Sequence, residues 1–188
     1  SNARWCFALA ACVRDPLRAR ALYERAMRKM AEEGRTGLVV MTAGGAGAGK
    51  STYIKQAVED NADVVFDNQM VNADLAIERI QAALDAGNRV RVVYVHRPFA
   101  EAARGSYERA DRTGRYNTPE GLAKAHVLAQ QGIVKVAKQF AGNAQVQVRF
   151  EDNAAEPLGR ELTISDFDEG GALRYGGIDE LTGIANAE

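Results

Sequence analysis

Apolar residues along this chain gather into short runs, separated by longer stretches in which they recur at three- and four-residue spacing, the signature of strands alternating with amphipathic helices. The runs are Gly37 to Ala43, built on Leu38-Val39-Val40-Met41; Asp63 to Asp67, built on Val64-Val65-Phe66; Val90 to His96; and Gln145 to Phe150. Between them the spacing turns helical. Asp15-Pro16 is a helix start, and Leu17, Ala21, Ala26 and Met30 form a stripe that ends before Gly34. Lys50 to about Glu59 reads as a helix, and so does the segment carrying Leu75, Ile77, Ile80, Ala83 and Leu84, which stops at Gly87-Asn88. Pro98 opens another, with Phe99, Ala103, Tyr107 and Ala110 on its buried side. Thr113 to Asn117 breaks the pattern, and Thr118-Pro119 restarts a long helix through about Phe140 with Leu122, Val127, Ile133, Val134 and Val136. After Pro157, Leu162 to Phe167 reads as a further short strand and Ile178 to Ala187 as a closing helix.

Strands that alternate with helices predict right-handed crossovers and a mainly parallel sheet of about four or five strands with helices on both faces, an α/β fold carrying an N-terminal helical extension. With 188 residues, 46% hydrophobic and 26% charged, the chain suits one α/β domain with a large core. Ser1 to Ala3 reads as a tag remnant, residues 4–34 as the extension and 35–188 as the main domain, with Arg4 starting a piece cut from a larger protein. The formal net charge of −1 supplies no general attraction for nucleic acid or membrane. Cys6, Cys12, His96 and His126 form neither a disulfide framework nor a metal cluster. No apolar run reaches membrane-span length and no leader pattern opens the chain, so a cytoplasmic setting is expected.

The most specific chemistry lies where the first strand ends. Gly44-Gly45-Ala46-Gly47-Ala48-Gly49-Lys50-Ser51 satisfies G-x-x-x-x-G-K-[ST], the phosphate-binding loop. Its glycines let consecutive amides turn toward phosphate oxygens at a helix N-terminus, where the dipole also favours an anion. Lys50 is expected on the β- and γ-phosphates of ATP, Ser51 on Mg²⁺, and Thr52 on a further phosphate oxygen. The dinucleotide fingerprint fails because Lys50 stands where its last Gly belongs.

Ligands of open parallel sheets sit at the carboxyl ends of strands. Asp63 enters its strand at the wrong end, whereas Asp67 leaves the same strand at the right one. Asp67 is therefore the candidate acid, holding Mg²⁺ through water or taking a proton from an incoming hydroxyl. Asn68, Gln69 and Asn72 follow it as candidate readers of the acceptor. Arginines between residues 104 and 118 lie where a lid can fold over the γ-phosphate, with Arg109 and Arg115 the candidates to meet its charge. Glu108 stands four residues from both Arg104 and Arg112, so surface pairing accounts for part of that cluster. His96, at a strand end, touches phosphate or merely finishes the strand; His126 on the long helix reads as structural or surface.

These elements resemble the zeta-toxin-like kinases of the P-loop kinase superfamily: Gly44 to Thr52, Val64 to Asp67, Val92 to Pro98, Arg109 to Pro119, and Phe150-Glu151-Asp152-Asn153. The resemblance implies phosphorylation of the 3′-hydroxyl of UDP-N-acetylglucosamine by ATP and Mg²⁺, opposed by a small antitoxin. It places Lys50 and Ser51 on phosphate and Mg²⁺, Arg109 and Arg115 on the transferring phosphoryl group, Asp67 toward the acceptor, and Asp152-Asn153 near the adenine. The family's toxins carry an extra strand segment before the strand equivalent to Asp63–Asp67, and it supplies their base aspartate. Here the helix runs almost directly into that strand. Asp67 then serves as base itself, or the acceptor differs, or the domain binds nucleotide without the toxin reaction.

The expected function is an ATP- and Mg²⁺-dependent transfer to a hydroxyl of a small molecule, with a nucleotide sugar the most specific acceptor. The alternative is a nucleotide-binding or ATPase module of a larger plasmid-transfer or phage protein, working with nucleic acid. A GTPase switch is disfavoured because no Asn-Lys-x-Asp motif occurs.

Overall fold

The computed structural model of the chain describes residues 7–8, 16–114, 116–154 and 162–188. Arg115, Cys6, Cys12 and the Asp15 helix cap fall outside them. The elements run β1 (Phe7–Ala8), α1 (Pro16–Glu32), β2 (Leu38–Ala43), α2 (Lys50–Glu59), β3 (Val64–Phe66), α3 (Ala73–Asp85), β4 (Arg89–His96), α4 (Phe99–Thr113), α5 (Pro119–Gln139), β5 (Val146–Asp152) and α6 (Ile178–Ala187). All strand pairs are parallel, in the order β1-β3-β2-β4-β5. The α/β fold with its parallel sheet is as expected. The two-residue β1, which pairs Phe7 with Val64, is an addition.

Side chains of a strand alternate between faces, and here the two sets enter different cores. Val39, Met41, Ala43, Val64, Phe66, Val90, Val92 and Tyr94 face α1, α3 and α5, meeting Tyr23, Met27, Met30, Ile80, Ile133 and Val136. Val40, Val65, Val93 and Val95 face the other way and pack with Ala57, Tyr53 and Ile54 of α2. A third cluster joins Phe99 and Ala103 of α4, Leu122 and Val127 of α5, and Leu181 and Ala185 of α6. Burial on both faces explains why the strands read as nearly unbroken apolar runs.

Leu162 to Phe167 is not a strand. A 3₁₀ turn, Ile164–Asp166, takes its place, because Thr163 and Asp166 close a reciprocal capping box that supplies local partners for the backbone. Leu162 and Phe167 are still buried, so the apolar ends of the segment reach the core without joining the sheet. The surface pairs also differ from expectation. Arg104 donates to both carboxylate oxygens of Glu188 rather than pairing with Glu108, and Arg112 donates to the Glu108 carbonyl.

Strand order places β2 at the point where connections diverge, to β3 on one side and β4 on the other, which opens a crevice above its carboxyl end. The loop leaving β3 forms one wall. Met70 there is fully buried and has a positive φ of 60°. A side chain at Gly132 of α5 would collide with the Met70 carbonyl, so only glycine lets the helix approach this closely. Gly132→Ala should lower stability by about 1–3 kcal/mol through overpacking, read from the urea midpoint; an unchanged midpoint would show that the approach is not tight.

Candidate active site

The candidate site is assembled from the carboxyl ends of β2, β3, β4 and β5, with α4 and α5 alongside. After Ala43 the chain turns through Gly44, Gly47 and Gly49, all at positive φ (128°, 80° and 98°), before α2 begins at Lys50. Among the described residues, the amides of Gly45, Ala46, Gly47, Gly49, Lys50 and Ser51 make no backbone hydrogen bond. A run of amide donors at a helix N-terminus is an anion-binding surface.

The carbonyls of the same loop are all engaged. Lys50 Nζ donates to Gly44 O at 2.8 Å and to Gly45 O at 3.0 Å. His126 Nε2 lies 2.8 Å from Ala46 O, Arg97 Nη1 donates to Gly47 O at 3.0 Å, and Asn153 Nδ2 donates to Ala48 O at 2.8 Å. Five consecutive oxygens thus receive side-chain donors from α2, α5 and the ends of β4 and β5. Ser51 and Thr52, at the start of α2, are exposed.

Asp67 stands across the crevice. Its Oδ1 accepts the Thr42 hydroxyl proton at 2.6 Å, which ties the acid to the strand that enters the phosphate loop. The Asn68 amide donates to the same hydroxyl oxygen at 3.2 Å, and Gln69 O accepts the Gly44 amide at 3.2 Å. Burial of the Lys50 ammonium pulls its pKa below the ordinary lysine value, the Asp67 charge pushes it back up, and the Arg109 charge lowers it again. Lys50, Asp67 and Arg109 therefore share one electrostatic field, with Arg109 exposed on α4.

The remaining expected residues divide. Arg115 lies outside the described residues. Asp152 accepts the Ala154 amide, and Asn153, assigned to the adenine side by resemblance, has its own amide on the phosphate loop. Asn68 accepts the Met70 amide and Asn72 caps α3 by accepting Leu75 N–H, so both side chains serve their own loop. Asp63 accepts the Leu38 amide and pairs with Arg35, at the opposite end of the sheet. His96 is buried against Phe167 and Tyr175, with ring centroids at 5.4 and 5.3 Å, and so finishes the strand.

Sequence reasoning, which reads His126 only as structural or surface, missed the loop roles of His126, Arg97 and Asn153. One signal was present for His126: it shares the buried face of α5 with Leu122, Ala123, Val127 and Gln130. A polar ring on an apolar face requires a partner inside.

A family model described as Zeta toxin matches residues 52–157, more than half of the chain. The chain belongs to the Zeta toxin family. The match begins at Thr52, directly after the phosphate loop, so loop and family are recognised from separate residues. No curated protein matches the chain. The Zeta toxin family is one of P-loop phosphotransferases, and the α/β chain with its parallel sheet has the P-loop kinase-like fold. No helix among the described residues is long and apolar enough to cross a membrane.

The site also carries a pH signature. Burial lowers the His126 pKa from 6.5 to about 4, with Lys50 and His96 adding to the fall and the bond to Ala46 opposing it. Between those values the unfolded chain binds a proton that the folded one refuses, so this contribution is complete above pH 6.5 and is lost as pH falls toward 4. The full span corresponds to about 3 kcal/mol. Urea titrations from pH 7 to pH 4 should show that loss in the wild type and a flatter dependence in His126→Gln; equal slopes would remove His126 as its source.

Proposed function

We propose that this protein transfers the γ-phosphoryl group of ATP, with Mg²⁺, to a hydroxyl of a small molecule, a nucleotide sugar such as UDP-N-acetylglucosamine being the specific acceptor. The observation that carries the reading is the loop in which every carbonyl from Gly44 to Ala48 is held by a side chain while the amides of Gly45, Ala46, Gly47 and Gly49 are left for an anion.

The donor set fits a magnesium nucleotide. Among the described residues no group of three or more His, Cys, Asp or Glu side chains stands ready to hold a metal. Mg²⁺ asks for less: one or two protein oxygens, with phosphates and water completing its shell. Ser51 Oγ would be the direct ligand, and the Asp67 carboxylate would hold the ion through water. The ion, when bound, neutralises charge on the β- and γ-phosphate oxygens.

Lys50 exchanges the two carbonyls for phosphate oxygens, and Arg109 supplies a second positive charge from α4, where negative charge grows on the equatorial oxygens. The acceptor hydroxyl oxygen forms a bond to the γ-phosphorus as the bond to the ADP oxygen breaks. Asp67 receives the hydroxyl proton, held in orientation by Thr42. Arg115 shares the role of Arg109 in this reading, and a small antitoxin is the opposing partner.

Lys50→Ala should abolish the thermal stabilisation given by Mg·ATP, and an undiminished shift would reject the loop assignment. Asp67→Asn should retain Mg·ATP affinity within about threefold while transfer falls by about a hundredfold or more, the range of a lost general base. The acceptor is tested by incubating a panel of nucleotide sugars with γ-labelled ATP and identifying the product by mass spectrometry. Label appearing only as inorganic phosphate would point to an ATPase.

A further inference from the structure

The C=O and N–H of a trans peptide point in opposite directions. Whatever holds the Ala46 carbonyl therefore also aims the Gly47 amide, and likewise Gly47 with Ala48 and Ala48 with Gly49. Lys50 cannot be the permanent holder, since its ammonium is the group that meets phosphate. The lasting ties are those from His126, Arg97 and Asn153.

His126 is the most constrained of the three. It is 1% exposed, and its ring is wedged edge-to-face against Phe99 and Tyr175, with centroids 5.2 and 5.5 Å away. A side chain at Gly45 would strike the ring, so the loop backbone rests directly on it. A carbonyl can only accept, which fixes the proton on Nε2 and leaves Nδ1 as a lone pair. Tyr175 Oη lies 3.3 Å from Nδ1 and donates to Arg97 O at 2.6 Å. The single phenol proton goes to Arg97 O, so Tyr175 holds the backbone of the arginine that grips the next carbonyl through its hydroxyl and braces the histidine through the edge-to-face contact of its ring. Tyr175 is in turn anchored to α5, its amide donating to Gln130 Oε1 at 2.7 Å.

We infer that His126 is a positioning residue for the phosphate loop: its Nε2–H fixes the Ala46 peptide so that the Gly47 amide faces the nucleotide, with Tyr175 as its brace. This rests on the nucleotide-binding reading above. Burial keeps the imidazole neutral near neutral pH, which preserves the tautomer the bond needs.

The test compares wild type, His126→Leu, His126→Gln and Tyr175→Phe by Mg·ATP calorimetry on protein whose fold is verified by circular dichroism. Leucine should weaken the affinity by about tenfold or more, as expected where a buried carbonyl loses its donor. Glutamine, which keeps an N–H donor, should recover most of it, and phenylalanine should give an intermediate loss. Wild type failing to bind Mg·ATP would defeat the nucleotide-binding reading itself. Wild type binding tightly, with folded His126→Leu binding equally well, would overturn this inference alone. Should His126→Leu not fold, the wild type still decides. Two-dimensional ¹⁵N–¹H spectra of the imidazole should show the Nε2–H tautomer, and an Nδ1–H ring would overturn the inference.

Discussion

A loop that turns its amides toward an anion must send its carbonyls the other way, and inside a protein each of those oxygens needs a donor. That requirement organises this molecule. The loop and its own helix supply few of those donors: Lys50 reaches Gly44 and Gly45, and the Ala48 amide reaches Gly45 again, which leaves Ala46, Gly47 and Ala48 without a local donor. Those three are served by other elements: α5 sends His126, the end of β4 sends Arg97, and the end of β5 sends Asn153. The glycines matter on this outer side as well as the inner one. At Gly45 a side chain would occupy the place of the His126 ring, and at Gly49 that of the Asn153 amide. The glycine pattern therefore admits the clamps as well as the phosphates.

The acid wall obeys the same logic over a longer path. Asp67 is oriented by Thr42, two residues before the loop begins, and Gln69 O receives the Gly44 amide where the loop opens. Met70 holds its left-handed conformation because Asn68 accepts its amide and Gly132 leaves room for its carbonyl. Helix α5 thus sets both walls, through His126 on the phosphate loop and Gly132 on the acid loop. The two contacts lie on one rigid element, so a shift of α5 moves the nucleotide cradle and the acid together.

Much of this was legible from the chain itself, where physics is local. The strands announce themselves as apolar runs because both faces of the sheet are covered, and α5 announces its start because Thr118 accepts the Gly121 amide with Pro119 behind it. Gly44 to Ser51 is readable because spacing alone specifies a loop around an anion. What stayed hidden depends on partners far away in sequence. His126 is 80 positions from Ala46, and Arg104 is 84 from Glu188, distances at which helical spacing says nothing. Leu162 to Phe167 misled because apolar ends suggest a strand, while the Thr163–Asp166 box that bends it is a short-range polar contact. Phe7–Ala8 is too short for any alternation to be read.

The position of Lys50 fixes how the site responds to its ligand. Its ammonium is desolvated, donates to two carbonyl dipoles and lies in the field of Asp67, with Arg109 opposing. An arriving triphosphate competes with neutral oxygens for a charge already stripped of much of its water, and a charge-assisted hydrogen bond is roughly twice as strong as a neutral one. The exchange therefore favours phosphate without a large desolvation cost at the lysine. Releasing Gly44 O and Gly45 O would loosen the loop if Lys50 were its only support. Because Ala46, Gly47 and Ala48 keep donors that phosphate does not contest, the amides stay aimed while the lysine moves, and binding and orientation are carried by different side chains.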